Sequence, residues 1–160
     1  MLSVCIISVG KLREPHYISA FEEYIKRLSP YCKVTSIELT EKRLPDNPCP
    51  KEIEAALSAE AEAVIKSMPK GAYVIAMCVE GSTLTSEGFA AMIGNLAVSG
   101  QSKLCFIIGG SFGLHEQIKK RSSYRLSMSS MTLPHHLARV MLAEQIYRAL
   151  MINENTKYHK

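Results

Sequence analysis

The chain has no long apolar run, no C-x-x-C pair and none of the glycine fingerprints of the common nucleotide folds. Each absence removes a class of protein. No stretch approaches the run of about 18 apolar residues that a membrane-spanning helix needs. The five cysteines, at 5, 32, 49, 78 and 105, lack the paired spacing of zinc or dithiol sites and leave one over. Cys5, Cys78 and Cys105 sit inside apolar strand patterns and read as buried, reduced thiols of a cytoplasmic protein. Cys49 lies between Pro48 and Pro50 and reads as exposed, with nothing nearby in the sequence to lower its pKa. The first ten residues are apolar but carry no basic leader, so they read as a buried strand rather than a signal peptide. Repeats, low-complexity tracts and an internal domain boundary are also missing.

What is present is enough for one domain, spanning residues 1–160, with a core of its own. Hydrophobic residues make up 47% and charged residues 21%, the balance of a soluble globular protein. The net charge of +4 is unevenly placed: residues 119–160 hold eight Lys or Arg against Glu144 and Glu154, a local net of +6. That distribution fits a polyanionic partner, and equally a solvated charged face.

Strand and helix patterns alternate along the whole chain. Residues 2–9, 33–39, 73–79, 103–108 and 124–127 read as strands. Residues 15–28 show Ile18, Phe21, Ile25 and Leu28 at helical spacing, with Pro15 suited to the first turn. Residues 51–68 form a second helix, closed by Pro69-Lys70-Gly71. Glu80 to Thr83 is predicted to turn the chain, and Ser86 to cap a helix ending near Val98. A short helix follows near 115–120. The last helix is predicted from a Thr132 cap, with Pro134 in its first turn, to about Met151. Residues 40–50, with three prolines, are predicted to form an exposed loop. The pattern implies an α/β fold with five mostly parallel strands.

Two loops stand out because each leaves a strand and enters a helix, where parallel α/β sheets form their sites. The first is the turn Gly109-Gly110-Ser111-Phe112-Gly113. Its spacing is G-G-x-x-G rather than G-x-G-x-x-G, it follows a late strand, and no acidic residue ends the next strand near 127 to hold a ribose. No G-K-[ST] is present either, which removes the Walker loop. Alone, the turn reads as a ligand site or as a packing turn. The second loop, Met128 to Leu133, offers consecutive backbone donors and acceptors with small side chains, then a proline at its exit. Such a tract can pair with a purine edge through main chain alone.

Taken together, five motifs and their order resemble the RlmH family, SPOUT-class methyltransferases of bacterial large-subunit rRNA. They are the strand from Tyr73 to Gly81, Ile108-Gly109-Gly110-Ser111-Phe112-Gly113-Leu114, the run from Leu126 to His135, the segment from Arg139 to Ala149, and the terminal Tyr158-His159-Lys160. The resemblance covers essentially the whole chain, including Val9-Gly10-Lys11-Leu12; His136 departs from the Gln expected in many members. It implies a single-domain parallel α/β sheet with a C-terminal trefoil knot and S-adenosylmethionine as cofactor. It implies a homodimer packed through the last helix, acting on N3 of a pseudouridine in 23S rRNA of the assembled ribosome, with no role for DNA or membrane. By position, Met77, Gly109, Gly110, Met128, Ser129, Ser130, Met131, Thr132 and Leu133 correspond to cofactor contacts.

Methylating an imino nitrogen needs alignment of donor and acceptor and removal of a weakly acidic proton. The expected catalytic set is His159, Tyr158 and Arg139, with the tail closing the partner subunit's site as the resemblance implies. Lys119, Lys120, Arg121, Arg125 and Lys160 are the expected RNA contacts, giving affinity without site choice. Arg148, four residues after Glu144, is suited to an intrahelical ion pair or to RNA. His135 reads as structural, and a His135-His136 metal site lacks further ligands. A nucleotide-dependent oxidoreductase and a non-catalytic ribosome-associated factor are the competing readings.

Overall fold

The computed structural model describes residues 1–160. Five strands form one parallel sheet in the order β2-β1-β4-β3-β5: β1 (Ser3–Val9), β2 (Lys33–Leu39), β3 (Tyr73–Thr83), β4 (Lys103–Ile108) and β5 (Tyr124–Ser127). Strands β1 and β4 are buried almost throughout, because helices cover them on both faces. Alternation divides β1 cleanly: Val4 and Ile6 join one core layer, and Cys5, Ile7 and Val9 the other.

The first layer packs under α1 (Pro15–Leu28), α3 (Ser86–Val98) and α5 (His135–Asn153). The second packs under α2 (Pro50–Ser67) and α4 (Glu116–Arg121). Pro15 and Pro50 open their helices, where a missing N–H costs nothing. Cys49 is exposed and caps α2, with the Glu52 carboxylate accepting from the Cys49 N–H at 2.8 Å. Cys5, Cys32 and Cys105 are buried, and Cys78 is half-buried. No helix is long and apolar enough to cross a membrane.

Three local expectations are corrected. The turn predicted at Glu80 to Thr83 is part of β3, whose pairing with β5 shifts between Met77 and Ser82. The slip leaves Gly81 against the β5 backbone, where a Cβ would lie 2.8 Å from the carbonyl of Arg125. Helix α3 is capped by Thr85, whose hydroxyl accepts from Gly88 N–H at 3.0 Å, while Ser86 bonds Gln145 instead. Thr132 does not cap α5. Ser129 Oγ accepts from Met131 N–H, the segment bends at Ser130 and Met131, and the helix begins after Pro134.

Candidate active site

The C-terminal ends of β3, β4 and β5 open onto a cleft of about 820 Å³, within the usual range of small-ligand pockets. Its walls are Met77 to Glu80 within β3, the glycine turn after β4 and the Ser-Met-Thr loop after β5. Met77, Ile108, Leu126 and Met128 make an apolar interior, and Phe112 and Met131 stand exposed by 49% and 76%. The glycine turn is drawn tight: a Cβ on Gly109 would sit 2.4 Å from the Gly113 carbonyl oxygen. Only glycine permits that approach, and it leaves backbone rather than side chain facing the cleft.

Of the expected cofactor contacts, Met77, Gly109, Gly110, Met128, Ser129, Met131, Thr132 and Leu133 all line this cleft. Ser130 does not; it is exposed between its neighbours. The loop is held by its own short side chains, with Ser127 Oγ donating to the Ser129 carbonyl at 2.9 Å. Several lining residues were not among the expected cofactor contacts, among them Glu80, Phe112, Lys119 and His135. Glu80 and His135 lie at a strand end and a helix start, which could have marked them.

The electrostatics are mostly internal. Lys119 is only 16% exposed and ion-paired to Glu80, and its hydrogen bond holds the Glu80 carboxyl below the ordinary range. Lys119 is therefore a wall of the cleft rather than a free phosphate ligand, which corrects its expected role. Arg125 has its Nη2 3.8 Å from Glu116, while Lys120 and Arg121 are exposed. Burial, and then the Glu80 charge, push the Cys78 thiol up, so it stays protonated. Burial and the neighbouring His136 lower the pKa of His135, which leaves that ring neutral at pH 7.

Arg139 is corrected as a catalytic candidate. It is 1% exposed and lies beneath the start of α5, its Nη1 bound to Glu38 and its Nη2 donating to the Gly10 carbonyl at 2.8 Å. It joins α5 to the ends of β1 and β2, and it does not line this cleft.

The tail is ordered against α3 and α5 and does not line the cleft of its own chain. Arg148 pairs with Glu144, stacks over Tyr158 at 4.8 Å and reaches His159 Nδ1 at 3.2 Å. Arginine only donates, so Nδ1 must accept, and the ring proton sits on Nε2, which faces Glu87 Oε1 at 2.7 Å. Burial, with Tyr24 and Glu144 nearby, pushes the Tyr158 phenol up to about 12. It remains protonated at neutral pH and donates to Glu144 at 3.1 Å.

A family model described as predicted SPOUT methyltransferase matches residues 2–159. A protein of Clostridium botulinum named ribosomal RNA large subunit methyltransferase H is 45% identical over 99% of this chain and 100% of its own length. A Clostridium kluyveri protein of the same name is 43% identical with the same coverage. Among solved structures, a probable methyltransferase from Bordetella pertussis superposes with a TM-score of 0.59 at 14% identity, covering 92% of this chain and 95% of that one. A probable methylase family protein from Haemophilus influenzae gives 0.54 at 15%, covering 98% and 70%. At such identity these two bear on the fold alone.

Proposed function

The chain belongs to the SPOUT methyltransferase family, and from that premise we propose that it methylates N3 of a pseudouridine in 23S rRNA of the assembled ribosome, using S-adenosylmethionine. The observation that carries the reading is the cleft itself: an apolar interior walled by β3 and by two strand-to-helix loops that present main chain. Full-length similarity to proteins named for large-subunit rRNA methylation supports the substrate class. The reading includes a trefoil knot in the C-terminal segment, supported by membership of the SPOUT family. It also sets the protein in the cytoplasm, where its ribosomal substrate is.

The residues fit the donor. The run from Met128 to Leu133 supplies main-chain groups for an adenine edge, and the backbone of Gly109 and Gly110 allows close contact. When bound, S-adenosylmethionine supplies a methyl group on an activated sulfonium. The task left to the protein is alignment, exclusion of water and acceptance of one proton. Met77, Ile108 and Leu126 keep the interior dry.

His159 is the proton acceptor in this reading. The lone pair of its Nδ1 points at Arg148 within one chain, so catalysis requires that contact to give way to the acceptor's N–H. The tail of one subunit serves the cleft of its homodimer partner, consistent with its distance from its own cleft. Tyr158 orients the tail as a protonated phenol. Lys120, Arg121 and Lys160 form no ion pair and remain suited to rRNA phosphates, with Arg125 alongside them.

The test is transfer of tritiated methyl from S-adenosylmethionine to ribosomes from cells lacking this protein, with protein-free rRNA in parallel. Label confined to one pseudouridine of intact ribosomes is expected. Ribosome binding without label would instead make the chain a non-catalytic factor.

A further inference from the structure

The glycine turn has a second side. Behind it lies another cleft, of about 780 Å³, at the C-terminal ends of β1 and β2. Ser111, Phe112 and His135 line both clefts, so the turn and the start of α5 are a shared partition. Glu41 anchors this partition from the far side, its Oε1 accepting from Ser111 N–H at 2.8 Å.

The second cleft differs in chemistry from the first. Four cations line it, Lys11 and Arg13 before α1 and Lys42 and Arg43 after β2, all exposed. None is ion-paired with a carboxylate, in contrast to Lys119. Glu60 of α2 lines the same cleft, is only 8% exposed, and leaves its Oε2 without a hydrogen-bond partner. A buried carboxylate oxygen without a donor is costly, and it is retained here beside free positive charge. Cations at a rim and an unmet acceptor at the floor complement a ligand that carries phosphate and N–H or O–H donors together. A nucleotide is such a ligand.

We propose that this cleft is the acceptor side of the enzyme. A nucleotide of the substrate RNA enters it, with its phosphates at Lys11, Arg13, Lys42 and Arg43 and a base or ribose donor facing Glu60. The inference rests on the rRNA methyltransferase reading and extends it. The partition then does what the reaction needs, keeping donor and acceptor on opposite sides of one thin wall and letting them meet at its edge. It also gives the proline-rich loop after β2 a task, as the carrier of two phosphate ligands.

The test uses the full-length protein and ribosomes, reading steady-state kinetics together with S-adenosylmethionine affinity by calorimetry. The variants are Lys42→Ala/Arg43→Ala, Glu60→Gln, and the control Lys33→Ala/Lys103→Ala, which removes the same charge at the opposite end of the sheet. Expected for the loop pair is a KM for ribosomes raised about 10-fold and a salt slope reduced by about 1.5 to 2. Its kcat and cofactor affinity stay at wild-type values. Glu60→Gln raises KM about 5-fold with the salt slope unchanged, because a neutral acceptor replaces a charged one. If the wild type labels ribosomes and the loop pair behaves like the control, the cleft assignment is overturned while the function stands. If the wild type labels no ribosome, the functional reading falls and this inference falls with it.

Discussion

Replacing Arg139 by methionine keeps the length of the side chain and removes its charge. The guanidinium is buried, and it supplies the Gly10 carbonyl and the Glu38 carboxylate with donors across more than a hundred residues of chain. Breaking a buried charged pair costs about 3–5 kcal/mol. Glu38 keeps 35% of its side chain in water and retains the Leu12 N–H at 2.9 Å, which favours the lower end of that range, about 3 kcal/mol. A domain of this size loses about 2–4 °C of Tm per kcal/mol, so Arg139→Met should melt about 6–12 °C below wild type. Thermal unfolding followed by circular dichroism reads this directly.

The pH dependence adds a second check. Burial opposes ionisation of Glu38, but the Leu12 N–H and the Arg139 guanidinium outweigh it and hold the carboxyl below its usual range. A carboxylate with a lowered folded pKa stabilises the fold above its unfolded pKa of about 4.3, and that stability is lost as pH falls through the folded value. The gap between Arg139→Met and wild type should therefore narrow in acid. Arg139 has a structural task in this geometry, so at temperatures well below melting the variant should bind cofactor and turn over normally. A Tm within about 2 °C of wild type, with turnover down about 100-fold or more, would refute it and restore Arg139 to the chemistry.

Other outcomes follow from the same geometry. Gly109→Ala forces a Cβ against the Gly113 carbonyl, so the turn must open; it should abolish S-adenosylmethionine binding in calorimetry and cost about 1–3 kcal/mol of stability. Burial, then the Glu41 charge, raise the pKa of Glu60, so its contribution to stability is present below its unfolded pKa and lost as pH rises through the folded one. Glu60→Gln should accordingly raise Tm by about 2–4 °C at pH 8, if the carboxylate costs about 1 kcal/mol, and give no gain near pH 4. An advantage that persists unchanged at acid pH would contradict the burial argument. Deleting residues 158–160 should leave cofactor affinity intact and abolish turnover, since the tail does not line its own cleft; equal loss of both would remove the tail from the catalytic set.

The strands and long helices were legible because their periodicities are strong. Residues 15–28 and 33–39 form the predicted elements to the residue, and the loop motifs marked the first cleft. What failed were features decided at long range. Nothing local signals that β3 passes its predicted turn, since that rests on the fit of Gly81 to a strand more than forty residues later. Arg139 read as a catalytic candidate because the sequence does not show Glu38 and Gly10 closing around it. The second cleft was invisible for the same reason: its cations come from two loops, its carboxylate from α2 and its partition from β4, and only the sheet order brings them together.

That order has a consequence for the chain during synthesis. β4 lies between β1 and β3, so β1 cannot acquire its inner neighbour until residues 103–108 have been made. At about 5–20 residues per second, the nascent protein holds β1 without its inner neighbour for roughly 5–20 s. Throughout that interval, the edge from Val4 to Val9 is open to any other unpaired strand. Shielding by a chaperone, or slow growth at low temperature, should therefore change the yield of soluble protein far more than its final stability.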